Sequence, residues 1–358
     1  MKWKIVVLAI IIVGLLTSGV LYYLYQGTNQ NSANNGTVVL TESGSTLLYP
    51  VFNEWSGNYT AAKITTQATG SGTGISSAIA GTVIIGATDA FMTNSQVQAH
   101  PMLNIPIMIS SQYVAYNLPG LNNVHLNLTG PIIAGIYNNT IQYWNDPAIQ
   151  KINPGINLPN DRIVPVRRSD GSGDTNMFTL FLSRSSSWWN QTVGYGTSVS
   201  WPSNPALQGA NGNSGVISVM ESTPYSIGYI AMTYTNQISG KLGYAALLNR
   251  NGNYILPTVQ TVMNAANQYL NQIPPDGRIG IAFAPGNQSY PIATFEYVVV
   301  KQVQSSAVIA NALKAFLLWA VQTNGGSASQ YLSPLYLIPL PSSVVQRVTD
   351  PIINQITG

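Results

Sequence analysis

The chain has 358 residues, of which 7% are charged, against roughly a quarter in an ordinary soluble domain. A hydrophobic content of 45% is enough for a sizeable core, so the surface is polar yet nearly uncharged, and the length suggests about two domains. There is no cysteine, and His100 and His125 stand alone, which excludes disulfides, thiol nucleophiles and Cys-ligated metals and leaves little for a His-based centre or a Ser-His-Asp triad.

Lys2 and Lys4 precede 21 consecutive residues without formal charge, 5–25, long enough to span a bilayer as a helix. Lysine on that side predicts a cytoplasmic N-terminus, with the bulk of the chain outside. No small-x-small cleavage site follows, and Tyr22, Tyr23 and Tyr25 read as an interfacial belt. The expectation is a retained transmembrane anchor over residues 1–25, with a cleaved signal segment as the alternative. A flexible tether follows over 26–37. Past the two leader lysines, 12 basic residues face 11 acidic ones, which argues against nucleic acid as a partner. Six Asn-x-Ser/Thr triplets, at Asn35, Asn58, Asn127, Asn138, Asn190 and Asn287, fit an exported, glycosylated chain. Scarce carboxylates suit an acidic exterior, where protonating paired Asp and Glu costs stability.

Beyond the tether, short β-rich runs alternate with helical patterns, the signature of an α/β fold with a largely parallel sheet. The patterns predict strands at 38–40, 64–68, 83–87, 162–168, 227–232 and 295–300. They predict helices at 47–55, 75–80, 177–182 and 308–319, the last with Ile309, Leu313, Phe316 and Leu317 on one face. Residues 201–215 carry loop signals throughout.

Three segments share one pattern of strand, Gly/Ser/Thr turn and helix. They are Gly44-Ser45-Thr46, Gly70-Ser71-Gly72-Thr73-Gly74, and VRRSDGSGD from Val166 to Asp174. Each places free backbone N–H groups and a hydroxyl at a helix N-terminus, where the dipole favours an anion. Ser and Thr are also ordinary N-caps, so one such turn alone says little. None fits a nucleotide enzyme: no Gly-Lys-Ser/Thr follows a glycine-rich loop, and the Gly70 run lacks the dinucleotide spacing. The expected ligand is a small oxyanion held by dipoles, hydroxyls and one guanidinium, for which arginine supplies a planar donor fork. The alternative for VRRSDGSGD is a surface strand end with local ion pairs. Trp188, Trp189 and Trp201 read as packing of a core or rim rather than as sugar-stacking platforms.

In order and at closely matching intervals, GSTLLYP, TGSGTG, IGATDA, VRRSDGSGD and GNSGV with SIGYI resemble the motifs of the phosphate-binding protein of the Pst ABC transporter. The resemblance covers nearly all of 37–358 and weakens after Lys241. It implies an α/β, two-lobed periplasmic-binding-protein fold of type II with a hinge. Residues 38–112 and 290–358 would form one lobe and 113–289 the other, with VAYNLPGL (114–121) as the crossover. Its function would be to capture inorganic phosphate outside the cell and hand it to ABC permease subunits, as a monomer without cofactor, metal or catalytic residue.

Position by position, the resemblance makes Thr46 a donor through hydroxyl and amide, Leu47 through its amide, and Ser71 through its hydroxyl. Asp89 would accept from a protonated phosphate oxygen. Arg168 would pair with the anion, braced by Asp170, while Ser172 and Gly173 donate from the third turn. The family usually has threonine where this chain has Asp174. The Asp174 amide could serve, but its carboxylate repels the anion unless one of them is protonated; Thr175 is the alternative through a one-residue shift. Physically, an ionised Asp89 accepts only, so it favours an oxyanion that keeps a proton, as phosphate does and sulfate does not. The competing role for Asp89 is a cap on a helix starting near Ala90.

Two other classes remain open on sequence. A phosphatase or phosphoryl-transfer enzyme on this scaffold would need a metal cluster or an activated nucleophile, and the motifs supply only Asp89, Asp170 and Asp174. A structural surface-layer component accounts for the leader but not for three anion turns.

Overall fold

A computed structural model describes residues 37–358, so the anchor expected over 1–25 and all of the tether but Thr37 lie outside the described residues. Among the described residues, no helix is long and apolar enough to cross a membrane. The main strands are β1 (Val39–Gly44), β2 (Lys63–Thr65), β3 (Ile85–Thr88), β4 (Met102–Tyr116), β5 (Val164–Arg168), β6 (Gln208–Ala210), β7 (Ser226–Ala231) and β8 (Ala293–Lys301). They form one sheet in the order β2-β1-β3-β8-β4-β7-β5-β6, with Gly243–Tyr244 and Ile338–Pro339 added alongside β4.

At one end β1 pairs in parallel with β2 and β3; at the other, β5 pairs in parallel with β6 and β7. Between them β4 and β8 run antiparallel to each other and to their outer neighbours. The expected largely parallel sheet is therefore mixed: two parallel halves joined by long antiparallel strands. β4 pairs with β8 from Met102 to Ser111 and with β7 from Gln112 to Tyr116, so a single buried strand of 15 residues serves both lobes. Residues 114–116, expected to open the crossover, are still strand.

Helices α1 (Tyr49–Asn58), α2 (Ser71–Ala80), α3 (Gly173–Ser185) and α4 (Gly212–Ser222) all begin on the side where the parallel strands end. In open α/β sheets that edge is where ligands bind. Pro50 sits in the first turn of α1, where its missing N–H costs nothing. Ser306 caps α5 (Ala307–Val321), whose buried Leu313, Phe316 and Leu317 match the predicted stripe, while Ile309 is only half-buried. Phe316 meets Trp55 of α1 and Tyr59 just past its end edge-on, with ring centroids 5.9 and 5.2 Å apart. Trp189 is buried with Trp201 against it, whereas Trp188 is 42% exposed and belongs to the surface.

The segment 201–215 departs from its loop reading, because it contains β6 and the start of α4. Its Pro, Gly and Asn residues give no strand signal. Parallel pairing of Gln208–Ala210 with Val166–Arg168 creates the strand, and that pairing exists only in the folded sheet.

Candidate functional site

The first turn leaves β1 at Gly44 and enters α1 at Tyr49. Ser45 organises it: its Oγ accepts from the Leu47 and Leu48 amides at 3.0 and 3.1 Å and donates to Asp89 Oδ1. The Leu47 amide is thereby engaged, and its side chain is buried in the core. Thr46 Oγ1 accepts from Asn213 Nδ2 at 2.9 Å, and the Thr46 carbonyl accepts from the Tyr234 hydroxyl at 2.8 Å. As the hydroxyl oxygen is the acceptor, its own hydrogen stays free to donate.

The second turn opens α2 at Gly70, which has no side-chain cap and a φ of 90° that L side chains rarely adopt. Ser71 Oγ accepts from the Asp89 amide at 3.2 Å, and the Gly72 amide donates to the Gly171 carbonyl at 2.9 Å. That last bond ties the second turn to the third. Asp89 is buried at the end of β3, and the next helix, Asn94–Ala99, is capped by Thr93, which disposes of the capping role for Asp89.

The third turn begins with Arg168, which is 2% exposed at the end of β5. Its guanidinium gives Nε to Asp170 Oδ1 at 2.7 Å, Nη2 to Asp170 Oδ2, and Nη1 to Asp174 Oδ2 at 2.6 Å. Three of its five N–H groups are used, and two remain for an anion. Asp174 Oδ2 also accepts from Asn213 Nδ2 at 2.7 Å, while Asp174 Oδ1 is buried without a partner. Ser172 Oγ caps α3 by accepting from the Thr175 amide, and the Thr175 hydroxyl is engaged with Tyr229 at 2.7 Å. The Thr175 hydroxyl is therefore occupied within its own lobe, and Asp174 stands in the first turn of α3. A Cβ on Gly173 would lie 2.5 Å from both Ser71 Oγ and Asp89 Cβ, so only glycine fits where the two turns meet.

Thr46, Ser71, Asp89, Arg168, Gly173 and Asp174 thus meet along one seam, with Asp170 behind the guanidinium. Leu47 and Ser172 flank it: the Leu47 amide is taken by Ser45, while Ser172 Oγ accepts from the Thr175 amide and keeps its own hydrogen. A cleft of about 450 Å³ opens on one side between Thr46, Asn213 and Tyr234, and another of about 240 Å³ on the other side beside Asp89 and Asn176. The amides of Thr46, Gly173 and Asp174 find no acceptor among the described residues. Donors outnumber acceptors here, which suits an oxyanion. Among the described residues no cluster of His, Cys, Asp or Glu is arranged to hold a metal.

Sequence reasoning named Ser45 only as part of the first turn and gave Asn213 and Glu296 no role. Asn213 crosslinks Thr46 to Asp174, and its Oδ1 accepts from the Ala231 amide at 2.9 Å, so every polar atom of its amide is used. It stands in GNSGV, and the resemblance of that motif is the sequence signal for it. Glu296, fully buried on β8, accepts from Ser110 Oγ at Oε1, while Oε2 meets no donor group and the carboxyl, when protonated, hydrogen-bonds the Asp89 carboxylate. A lone carboxylate inside the apolar run ATFEYVVV was the available signal.

Burial, and secondarily Asp89, push the Asp174 carboxyl up to about 7. Burial also raises Asp89 and, with Asp89 beside it, raises Glu296. Burial lowers the Arg168 guanidinium, but Asp170 and Asp174 more than offset it and hold it fully charged. Asp170 is lowered because Arg168 outweighs the effect of its burial. Away from the seam, burial pushes Glu42 up to about 8. A carboxyl raised in the folded state binds protons that the unfolded chain has already lost, so its stabilising contribution fades as pH rises through the folded value. The protein without ligand is therefore expected to be more stable at about pH 5 than at about pH 8, by a few kcal/mol. Urea midpoints at both values check this; a higher midpoint at the alkaline value contradicts it.

Two parallel half-sheets joined by crossing strands, with helix N-termini and a guanidinium meeting between them, define a two-lobed solute-binding protein. The family model described as the PBP superfamily domain matches residues 30–324. The chain is 33% identical over 312 residues to the phosphate-binding protein PstS of Pasteurella multocida, which covers 86% of this chain and 88% of that one. It is 32% identical over 346 residues to the phosphate-binding protein PstS of Methanocaldococcus jannaschii, with 89% and 88% covered. The solved phosphate-binding protein from Stenotrophomonas maltophilia shares the fold, with a TM-score of 0.68 at 17% identity over 87% of this chain and 93% of that one. The chain belongs to the PstS family of phosphate-binding proteins within this superfamily.

Proposed function

We propose that the protein captures inorganic phosphate between its lobes outside the cell membrane and delivers it to the permease of an ABC transporter. The observation that carries this reading is the seam itself: open amides at Thr46, Gly173 and Asp174, free hydroxyl hydrogens on Thr46 and Ser71, and two unused Arg168 N–H groups, set against the acceptor Asp89. Thr46, Ser71, Asp89, Arg168, Gly173 and Asp174 are its ligands. Asp170 holds the guanidinium, Leu47 lines the first turn, and Ser172 keeps α3 capped. Residues 38–112 and 290–358 make one lobe and 113–289 the other, a division supported by the change of β4 partner after Ser111. Capture needs no catalytic group or cofactor, and the relatives lend no support to a phosphoryl-transfer or surface-layer role. The uncharged run 5–25 supports a membrane anchor, and the exposed Asn58, Asn190 and Asn287 are acceptors for glycans on an exported monomer.

Calorimetric titration of the full chain with phosphate, arsenate, sulfate and molybdate tests this. Phosphate is expected to bind tightly, without turnover of a phosphate ester, and sulfate weakly. Asp89→Asn is expected to reduce the preference for phosphate over sulfate by about 10- to 100-fold, since an unpaired buried acceptor costs about 1–3 kcal/mol. Unchanged selectivity in competition binding would remove Asp89 from its role.

A further inference from the structure

A single acceptor, Asp89, suffices to recognise monohydrogen phosphate, yet this seam holds a second buried carboxylate. Asp174 is 1% exposed, and its two oxygens differ sharply. Oδ2 is saturated by Arg168 Nη1 and Asn213 Nδ2, at 2.6 and 2.7 Å. Oδ1 is buried with no partner at all. Asp174 follows Gly173, where an added Cβ would run into Asp89 and Ser71, and the Asp89 charge acts on the Asp174 carboxyl, so the two carboxylates are close neighbours at the seam. A buried acceptor without a donor is costly, and a bound guest that supplies a hydrogen removes the cost.

Resting on the phosphate reading, we propose that Asp89 and Asp174 act as a paired acceptor requiring two hydrogens between them, so that the site holds phosphate together with one proton more than monohydrogen phosphate carries. The bound species is dihydrogen phosphate donating one O–H to each carboxylate, or the same atoms with one proton resting on Asp174. Either way charge and protons balance: above neutral pH, one monohydrogen phosphate and one solvent proton enter together.

The other charged and titratable groups around Asp174 leave this pairing in place. Arg168 on β5 is the facing cation, and Asp170 neutralises much of it. Tyr229 on β7 and Tyr234 beyond it are neutral, their hydroxyls pushed up chiefly by burial. Glu296 on β8 adds a third carboxyl, held neutral by burial and by Asp89. One guanidinium thus faces more carboxylates than it can offset. The elevation of Asp174 toward neutrality agrees with a group that takes up a proton when an anion arrives.

The test is calorimetry of the full chain with inorganic phosphate from about pH 6 to about pH 9, in two buffers of different ionisation enthalpy, for the wild type and Asp174→Thr. The wild type is expected to take up close to one proton per phosphate at about pH 8, its affinity falling about tenfold per pH unit above that. Asp174→Thr, with a hydroxyl donor in place of the acceptor, is expected to take up none and to lose the slope. If Asp174→Thr does not fold, Asp174→Asn is read the same way. Tight phosphate binding with no proton uptake in the wild type overturns the paired acceptor and leaves the receptor reading intact. Uptake undiminished in the variants overturns it too, by moving the proton to Glu296 and Asp89. No phosphate binding at any pH overturns both readings together.

Discussion

Replacing Arg168 with methionine is expected to weaken phosphate binding by about 10²- to 10⁴-fold, the loss of two charge-assisted hydrogen bonds at about 1.5–3 kcal/mol each. The same change removes the cation shared by Asp170 and Asp174, both bonded to the guanidinium. Breaking a buried ion pair from one side costs about 3–5 kcal/mol, so the variant is also expected to be markedly less stable near neutrality. The pH dependence identifies the source. Arg168 holds Asp170 below its ordinary value, so the stability Asp170 contributes is present above the unfolded carboxylate pKa and is lost as pH falls through the folded one. The deficit of Arg168→Met should therefore shrink below about pH 4. Urea unfolding of both proteins at about pH 7 and about pH 3.5 measures this; an equal deficit at both would mean that lost packing, not lost charge, is responsible.

Gly173→Ala adds one methyl group where there is no room. Its Cβ would lie 2.5 Å from Ser71 Oγ and from Asp89 Cβ, and Gly173 reaches those residues from the opposite half of the sheet. Within its own helix alanine is the better residue, by up to about 1 kcal/mol. The clash is relieved most easily by parting the two turns, which separates the donors at α3 from Asp89. Phosphate affinity is expected to fall at least about 100-fold, roughly 3 kcal/mol at the upper end of overpacking costs. Unfolding free energy should change by no more than about 1 kcal/mol. Calorimetry with phosphate, paired with small-angle scattering with and without it, reads both parts. Wild-type affinity in Gly173→Ala would show that the close approach of these turns plays no part in the bound state.

The three anion turns are legible in the sequence because their signals are local. Ser172 accepts the Thr175 amide three residues on, Gly70 supplies a positive φ, and Arg168 finds Asp170 two residues away. Such contacts are set by backbone geometry within one turn and survive in any fold that keeps the turn. The amphipathic α5 was visible for the same reason, since its period reports burial without naming the partner. The strand content of 201–215 was hidden, because its residues have no preference for strand and acquire one only beside β5.

Which local groups become neighbours was settled by the sheet. Asn213 reaches Thr46 from 167 positions away, and Ser45 reaches Asp89 from 44, because β1, β3, β5 and β6 end on the same edge. That arrangement passes the Leu47 amide to Ser45, turns the Thr175 hydroxyl to Tyr229 and leaves Asp174 Oδ1 buried without a donor. Residue type and spacing along the chain are enough to say that an anion can be held at each helix start. Long-range pairing of strands, whose free energy comes from burying β4 and β8 between the two halves, determines which of those starts hold the same anion and which carboxylates must share it.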